Sequence, residues 1–307
     1  MTTLKKILFF ADGATGEQSA LAHSILLAAH HEASLTVIDV VAEVASNDLR
    51  LEATMKKLQK SLIDERKTAL EEMLKGVDQT PLAEPIAILV LPGKDYIEII
   101  RAIIMRPFDL LVKSANKHNV LSATLFGDTD LNLLRKCPCP VWIIKPQQKS
   151  GIHQVLAAVD LAETPDTRQL AGDVMKLAAS VASQEQAQLH VMNAWEPTYQ
   201  PQLRGRIESK EFDEMMQAIK DSSSQQLHNV AAHAAPMTPA EYVIDGKPED
   251  AIVELVKSKK IDLLVMGTMS RSGIPGLLIG NTAEKVLHNV DCSVLTMKPR
   301  EFKSPVE

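Results

Sequence analysis

The chain is written twice, and this duplication restricts its fold more than any other feature. The stretch "VLPGKDYIEIIRAIIMRPFDLLVKS" from Val90 matches "VIDGKPEDAIVELVKSKKIDLLVMG" from Val243 at an offset of 153 residues. The offset holds at Gly93/Gly246, Lys94/Lys247 and Asp109/Asp262, and runs on through Gly127/Gly280, Thr129/Thr282, Leu134/Leu287 and Cys139/Cys292. Nearer the front, "ILFFAD" ending at Asp12 pairs with "VLAAVD" ending at Asp160 at an offset of 148. With 307 residues the chain accommodates two domains of ordinary size. The junction falls near "KPQQKSG", Lys145 to Gly151, so the domains are expected over 1–147 and 151–302.

Both halves have the same internal order. An apolar strand ends in aspartate, and a helix such as Gln18 to Ala29 follows, with apolar residues at helical spacing. A second strand begins at Ser34 and at Gln188, and long helical stretches run from Asp48 to Gly76 and from Ser209 to His233. A third strand ends in Gly-Lys, a helix follows, and "DLLV" forms the fourth strand. A loop, a helix and a last strand ("PVWIIKP", "SVLTMKP") close each unit. Strands that alternate with helices and read as continuous apolar runs predict an α/β fold, a five-stranded parallel sheet covered by helices on both faces. Ligands of such sheets bind beyond the strands' carboxyl ends, where Asp12, Asp160 and both loops fall.

Composition narrows the function classes. Hydrophobic content of 45% and charged content of 23% are those of a soluble globular protein. A net charge of −6 gives no footprint for nucleic acid, and aromatics at 4% offer few stacking platforms. No apolar stretch approaches a membrane span. "KKILFFADG" starts like a signal peptide, but Asp12 ends its apolar core after five residues, so it reads as a first strand. Cys137 and Cys139 in "KCPCPVW" lack C-x-x-C spacing and Cys292 stands alone, which predicts small buried thiols and fits a reducing cytoplasm.

The stretch "GTMSRSGIPGLLIGNT", Gly267 to Thr282, lies between an apolar strand and a helix, the arrangement that gathers backbone N–H groups for an anion. The strand-one aspartate, the Gly-Lys stretch and "G-x-x-S-x9-G-N-T" resemble the universal stress protein family, and the resemblance covers essentially the whole chain. It implies a stress-response role and, for the family's nucleotide-binding branch, a loop G-x-x-G-x9-G-(S/T) that holds ATP phosphates. Carried over by position, Asp160 and the backbone at Val191 would hold the nucleoside. Gly267, Thr268, Ser270, Gly280, Asn281 and Thr282 would hold the phosphates, with Arg271 and Gly273 compensating. Ser270 stands where the second glycine is usual and Asn281 where Ser or Thr is usual. Mg²⁺ would accompany the nucleotide through its phosphates, since no carboxylate cage is visible.

The first-half loop, Ser114 to Thr129, keeps only Gly127, with Lys117 at the second-glycine position and Asp128 at the helix start. A carboxylate there repels phosphate, so no ordinary ATP site is expected in that half. Plainer readings stand beside these. Asn281 and Glu284 have capping-box spacing, Asp12 and Asp160 can cap helices, and His190 suits packing in a strand. No nucleophile, base and orienter come together, and no Walker lysine follows the loop, so any ATP hydrolysis would be slow and incidental. The implied assembly is an internal pseudo-dimer or a homodimer, acting as a nucleotide switch toward an unknown protein partner. The alternatives are a ligand-free scaffold, or a carrier or weak hydrolase of a nucleotide-linked or lipidic metabolite using the first half.

Overall fold

A computed structural model describes residues 4–45, 48–115, 126–146, 151–161, 164–196, 206, 208–234, 237–268 and 279–306. The chain forms two compact units, one of Thr3–Lys149 with Arg300–Glu307 and one of Ser150–Pro299. The N-terminal unit runs β1 (Lys6–Phe10), α1 (Glu17–His31), β2 (Ser34–Val41), α2 (Glu52–Lys75), β3 (Ala87–Pro92), α3 (Asp95–Met105), β4 (Leu110–Ser114), α4 (Asp128–Lys136) and β5 (Val141–Ile144). The C-terminal unit repeats this order as β6 (Gln154–Ala158), α5 (Pro165–Gln184), β7 (Gln188–Trp195), α6 (Ser209–Ala234), β8 (Ala240–Asp245), α7 (Pro248–Lys259), β9 (Leu263–Gly267), α8 (Asn281–Asn289) and β10 (Ser293–Met297).

The strands of the first unit lie in the order β3-β2-β1-β4-β5, and those of the second in the order β8-β7-β6-β9-β10. The pairings within each are parallel: Phe9 lies beside Val37 and Val112, and Ala157 beside Val191 and Val265. The chain winds outward from β1 in one direction and returns to its other side as β4, so the order switches between β1 and β4, and again between β6 and β9. There the loops leave in opposite directions and open a crevice at the carboxyl ends.

Burial explains which runs became central strands. β4 and β10 are buried at every position and β1 after its first residue, as strands covered on both faces must be. The edge strands β3 and β8 are only partly covered. α1 and α5 carry Leu, Ile, Val and Ala into this core, whereas α2 buries only Leu70 and Leu74. The charged stretch of α2 is therefore mainly a solvated face. The three cysteines are buried, and the Cys137 and Cys139 sulfurs lie 3.5 Å apart in the turn from α4 to β5.

Gly16 caps α1 in the left-handed region, at φ 83°, and a Cβ there would stand 2.7 Å from Pro146 Cα and O. Neither the dihedral nor that backbone contact relaxes by a side-chain rotation. Gly16→Ala should cost the N-terminal unit about 2 kcal/mol, read from the denaturant midpoint. A change below a few tenths would mean that the α1 entry is not fixed.

Candidate functional site

At the β6/β9 switch point of the C-terminal unit lies a cavity of about 590 Å³. This is within the range of small-molecule sites. Three strands, the start of α8 and two helices build it. β6 contributes Ala158 and leads into Val159 and Asp160; β7 contributes Met192 and Ala194; β9 contributes Met266 and Gly267. α5 lays Leu170 and Val174 along one side, and α7 adds Ile252. The result is an apolar chamber with Asp160, Asp166 and Glu196 among its lining and no lysine or arginine among the described lining residues.

Gly280, Asn281 and Thr282 form the chamber's remaining wall. Gly280 is the N-cap of α8, and the first bond of that helix runs from Glu284 N–H to Gly280 O at 2.9 Å. The amides of Asn281, Thr282 and Ala283 precede it, so the helix itself offers them no acceptor. A glycine N-cap has no side chain to accept from them either. This end of α8 thus brings N–H donors and the positive end of the helix dipole to the cavity.

The capping-box expectation fails by one residue. Asn281 is the first helical residue, not the cap, and Glu284 lies 3.4 Å from His288 on the same helix. Nor does Asp160 cap a helix: Thr164 caps α5, its hydroxyl accepting from Thr167 N–H at 3.3 Å, with Pro165 opening the first turn. Asp160 instead lies at the carboxyl end of β6, in the cavity wall.

Of the residues expected to bind nucleotide, Asp160, Gly267, Gly280, Asn281 and Thr282 come together around the cavity. Ser270, Arg271 and Gly273 lie outside the described residues. Val191 is fully buried in mid-strand, and the β7 side chains that reach the cavity are Met192 and Ala194. Thr268 is fully buried as well. Its N–H donates to Met297 O at 3.0 Å, and its own carbonyl accepts from Gly280 N–H at 2.7 Å. Those two amides are engaged at the strand ends, so the amides at the start of α8 without an acceptor in the helix are the ones that follow Gly280.

His190 is a packed histidine, as its strand position suggests. It is 3% exposed, with Gln154 Oε1 2.7 Å from Nε2 and the Tyr242 hydroxyl 3.2 Å from Nδ1. Burial, with the charge of Lys259, holds its pKa below the usual histidine value. No group of three or more metal-ligating side chains occurs among the described residues. No described helix is long and apolar enough to cross a membrane.

Sequence reasoning named the loop and missed the chamber. Leu170, Val174, Met192, Ala194 and Ile252 belong to no motif. The repeat itself carried a signal. Phe10, Lys113 and Asp130 of the first half become Ala158, Met266 and Ala283 in the second, three changes to smaller or uncharged residues at one place in the fold.

Two α/β units, each a parallel sheet whose strand order switches beside its first strand, define a tandem α/β protein. The universal stress protein family model matches residues 3–145 and 151–298, and the chain belongs to that family. It is 32% identical over 228 residues to universal stress protein E of Escherichia coli K12, covering 73% of this chain and 71% of that protein. Its likeness to universal stress protein E of Salmonella typhi has the same extent. Among solved structures, a functionally unknown Pseudomonas aeruginosa PAO1 protein aligns with a TM-score of 0.71 at 22% identity, covering 97% of this chain and 94% of that one. A universal stress protein from Archaeoglobus fulgidus aligns with a TM-score of 0.59 at 16% identity, covering 96% and 98%. These two likenesses extend the fold over both units.

Proposed function

We propose that the C-terminal unit binds an adenine nucleotide, ATP with Mg²⁺, and acts in the cytoplasm as a nucleotide-dependent switch in stress survival. The observation that carries this reading is the glycine-capped start of α8 opening onto a cavity of about 590 Å³ at the strand-order switch. The phosphates would meet the amides of Asn281 and Thr282, and the base would lie against the apolar wall of Val174, Met192 and Ile252. Asp160 would accept from the ribose hydroxyls. The lining carboxylates suit a nucleotide whose charge is offset by Mg²⁺ better than a bare polyanion. On this reading the residues around the cavity would bind and orient the nucleotide, and the role is occupancy, with any hydrolysis slow and incidental.

The test is to denature purified protein, quantify released nucleotides by chromatography, and measure ATP–Mg²⁺ binding by calorimetry in wild type and Gly280→Asp. Gly280 has an ordinary extended backbone, φ −72° and ψ 149°, so aspartate fits there as an N-cap. Its carboxylate would sit where phosphate should, and affinity should fall about 100-fold or more. Nucleotide-free wild-type protein that also fails to take up added ATP would leave a ligand-free scaffold.

A further inference from the structure

The two units share one plan but not one interior. Around its cavity the C-terminal unit has Ala158, Met266 and Ala283; the N-terminal unit has Phe10, Lys113 and Asp130 in those places. All three are 1% exposed or less. The Lys113 ammonium stands 2.9 Å from Asp12 Oδ2 and 2.8 Å from Asp130 Oδ1. It donates to Ser114 O at 2.7 Å and lies 5.6 Å from the centre of the Phe10 ring. Two carboxylates and one carbonyl thus lie within 3 Å of this buried cation.

Asp130 does more than balance Lys113. Its second oxygen accepts from the N–H of Gly127, the N-cap of α4, at 3.1 Å. In the C-terminal unit the matching Gly280 N–H goes to Thr268 O, and the residue matching Asp130 is alanine. Asp12 is committed too, its other oxygen accepting from Ala14 N–H at 3.2 Å.

We infer that Phe10, Lys113 and Asp130 are a ligand substitute built into the N-terminal unit, so that this chain offers one nucleotide site and not two. The ring takes up the volume, the Asp130 carboxylate supplies the negative charge at the helix start, and the ammonium supplies the counter-cation. At the position equivalent to the C-terminal cavity, the Phe10 ring and the Lys113–Asp130 pair stand where the other unit has Ala158, Met266 and Ala283. The count of one rests on the proposed C-terminal site; the filling of the N-terminal one does not.

The two are separable by experiment. Calorimetry of the full chain with ATP–Mg²⁺ should give one site, and two sites would overturn the inference. No binding at all would overturn only the C-terminal reading, and the next arm is independent of it. Lys113→Gly removes the ammonium and its stem, leaving a space that an alkylammonium ion fits. Thermal unfolding of this variant should fall by about 10 °C. Propylammonium chloride should restore most of the loss, while equal sodium or tetramethylammonium chloride should not. Adding Asp130→Ala should abolish that selectivity. Should Lys113→Gly fold only with amine present, refolding yield against propylammonium gives the same answer. Equal response to all three salts would overturn the built-in role of Lys113.

Discussion

Lys113→Met should be the most damaging single change considered, costing the N-terminal unit about 3–5 kcal/mol. The substitution inserts the C-terminal unit's own residue and nearly preserves volume, so packing is not the cause. It leaves Asp12 and Asp130 facing each other without their shared cation, and Asp130 is fully buried. The carboxylates must then hold an unfavourable charge or take up a proton. Lys113→Met with Asp130→Ala should recover a substantial part of the loss, because the second change removes the stranded charge. It does not recover all, since Gly127 N–H then loses its acceptor. Urea midpoints of both variants and of Asp130→Ala close the cycle. Independent, additive effects would show that Lys113 and Asp130 do not act together.

Arg66→Ala is the second. Arg66 reaches from α2 over the end of β1, pairing its Nε with the Asp39 carboxylate and donating from Nη2 to Ala11 O at 3.2 Å. Burial pushes the Asp39 pKa up, against the hydrogen bond and charge of Arg66. Without the arginine only the Val40 N–H is left to oppose burial and the charge of Asp12, so the Asp39 pKa rises further, and the variant should lose about 3 kcal/mol at neutral pH. The sign with pH follows from linkage. A carboxyl whose folded pKa is raised contributes stability below its unfolded pKa of about 4, and loses it as pH rises through the folded value. The gap between wild type and Arg66→Ala should therefore narrow from pH 7.5 to pH 5, as Asp39 protonates in the variant. Burial also raises Glu17 and Asp95 in this unit, with the same sign. A gap that does not change with pH would show that Arg66 contributes packing and not charge.

The fold could be read from the chain because its signals are local and doubled. Apolar strand runs, helical spacing and a repeat that kept its glycines leave little freedom in the order of elements. The site was only half legible. Asp160, Gly280 and Asn281 announce themselves by type and spacing, since an anion at a helix start needs glycine and a short polar residue. The chamber behind them is made by side chains from six elements, and its depth depends on what is missing, alanine where the other half has phenylalanine and aspartate. Absence of bulk has no motif. Thr268 shows the opposite error: it belongs to the loop by position, yet its amide serves the β10 end.

The partner of Arg66 illustrates how far two copies can drift on one backbone. At the place of Asp39 the second unit has Asn193, whose amide donates to Val159 O at 3.0 Å, as Arg66 does to Ala11 O. A neutral side chain from the strand itself replaces a charged pair that needs a second helix. One copy covers its crevice with α2, and the other leaves α6 free of that duty.

The bond from Gly280 N–H to Thr268 O has a consequence for how such a protein changes over time. It pins both ends of the intervening stretch at one point, and Thr268 N–H ties that point to the end of β10. Closure of the stretch is then anchored by the carboxyl ends of β9 and β10, and each doubling of its length adds only about 0.6 kcal/mol of entropy. A stretch tied at its two ends can change in length and sequence at little cost to the sheet that holds it. Descendants of one ancestral copy can therefore diverge between those two anchors while their sheets remain interchangeable.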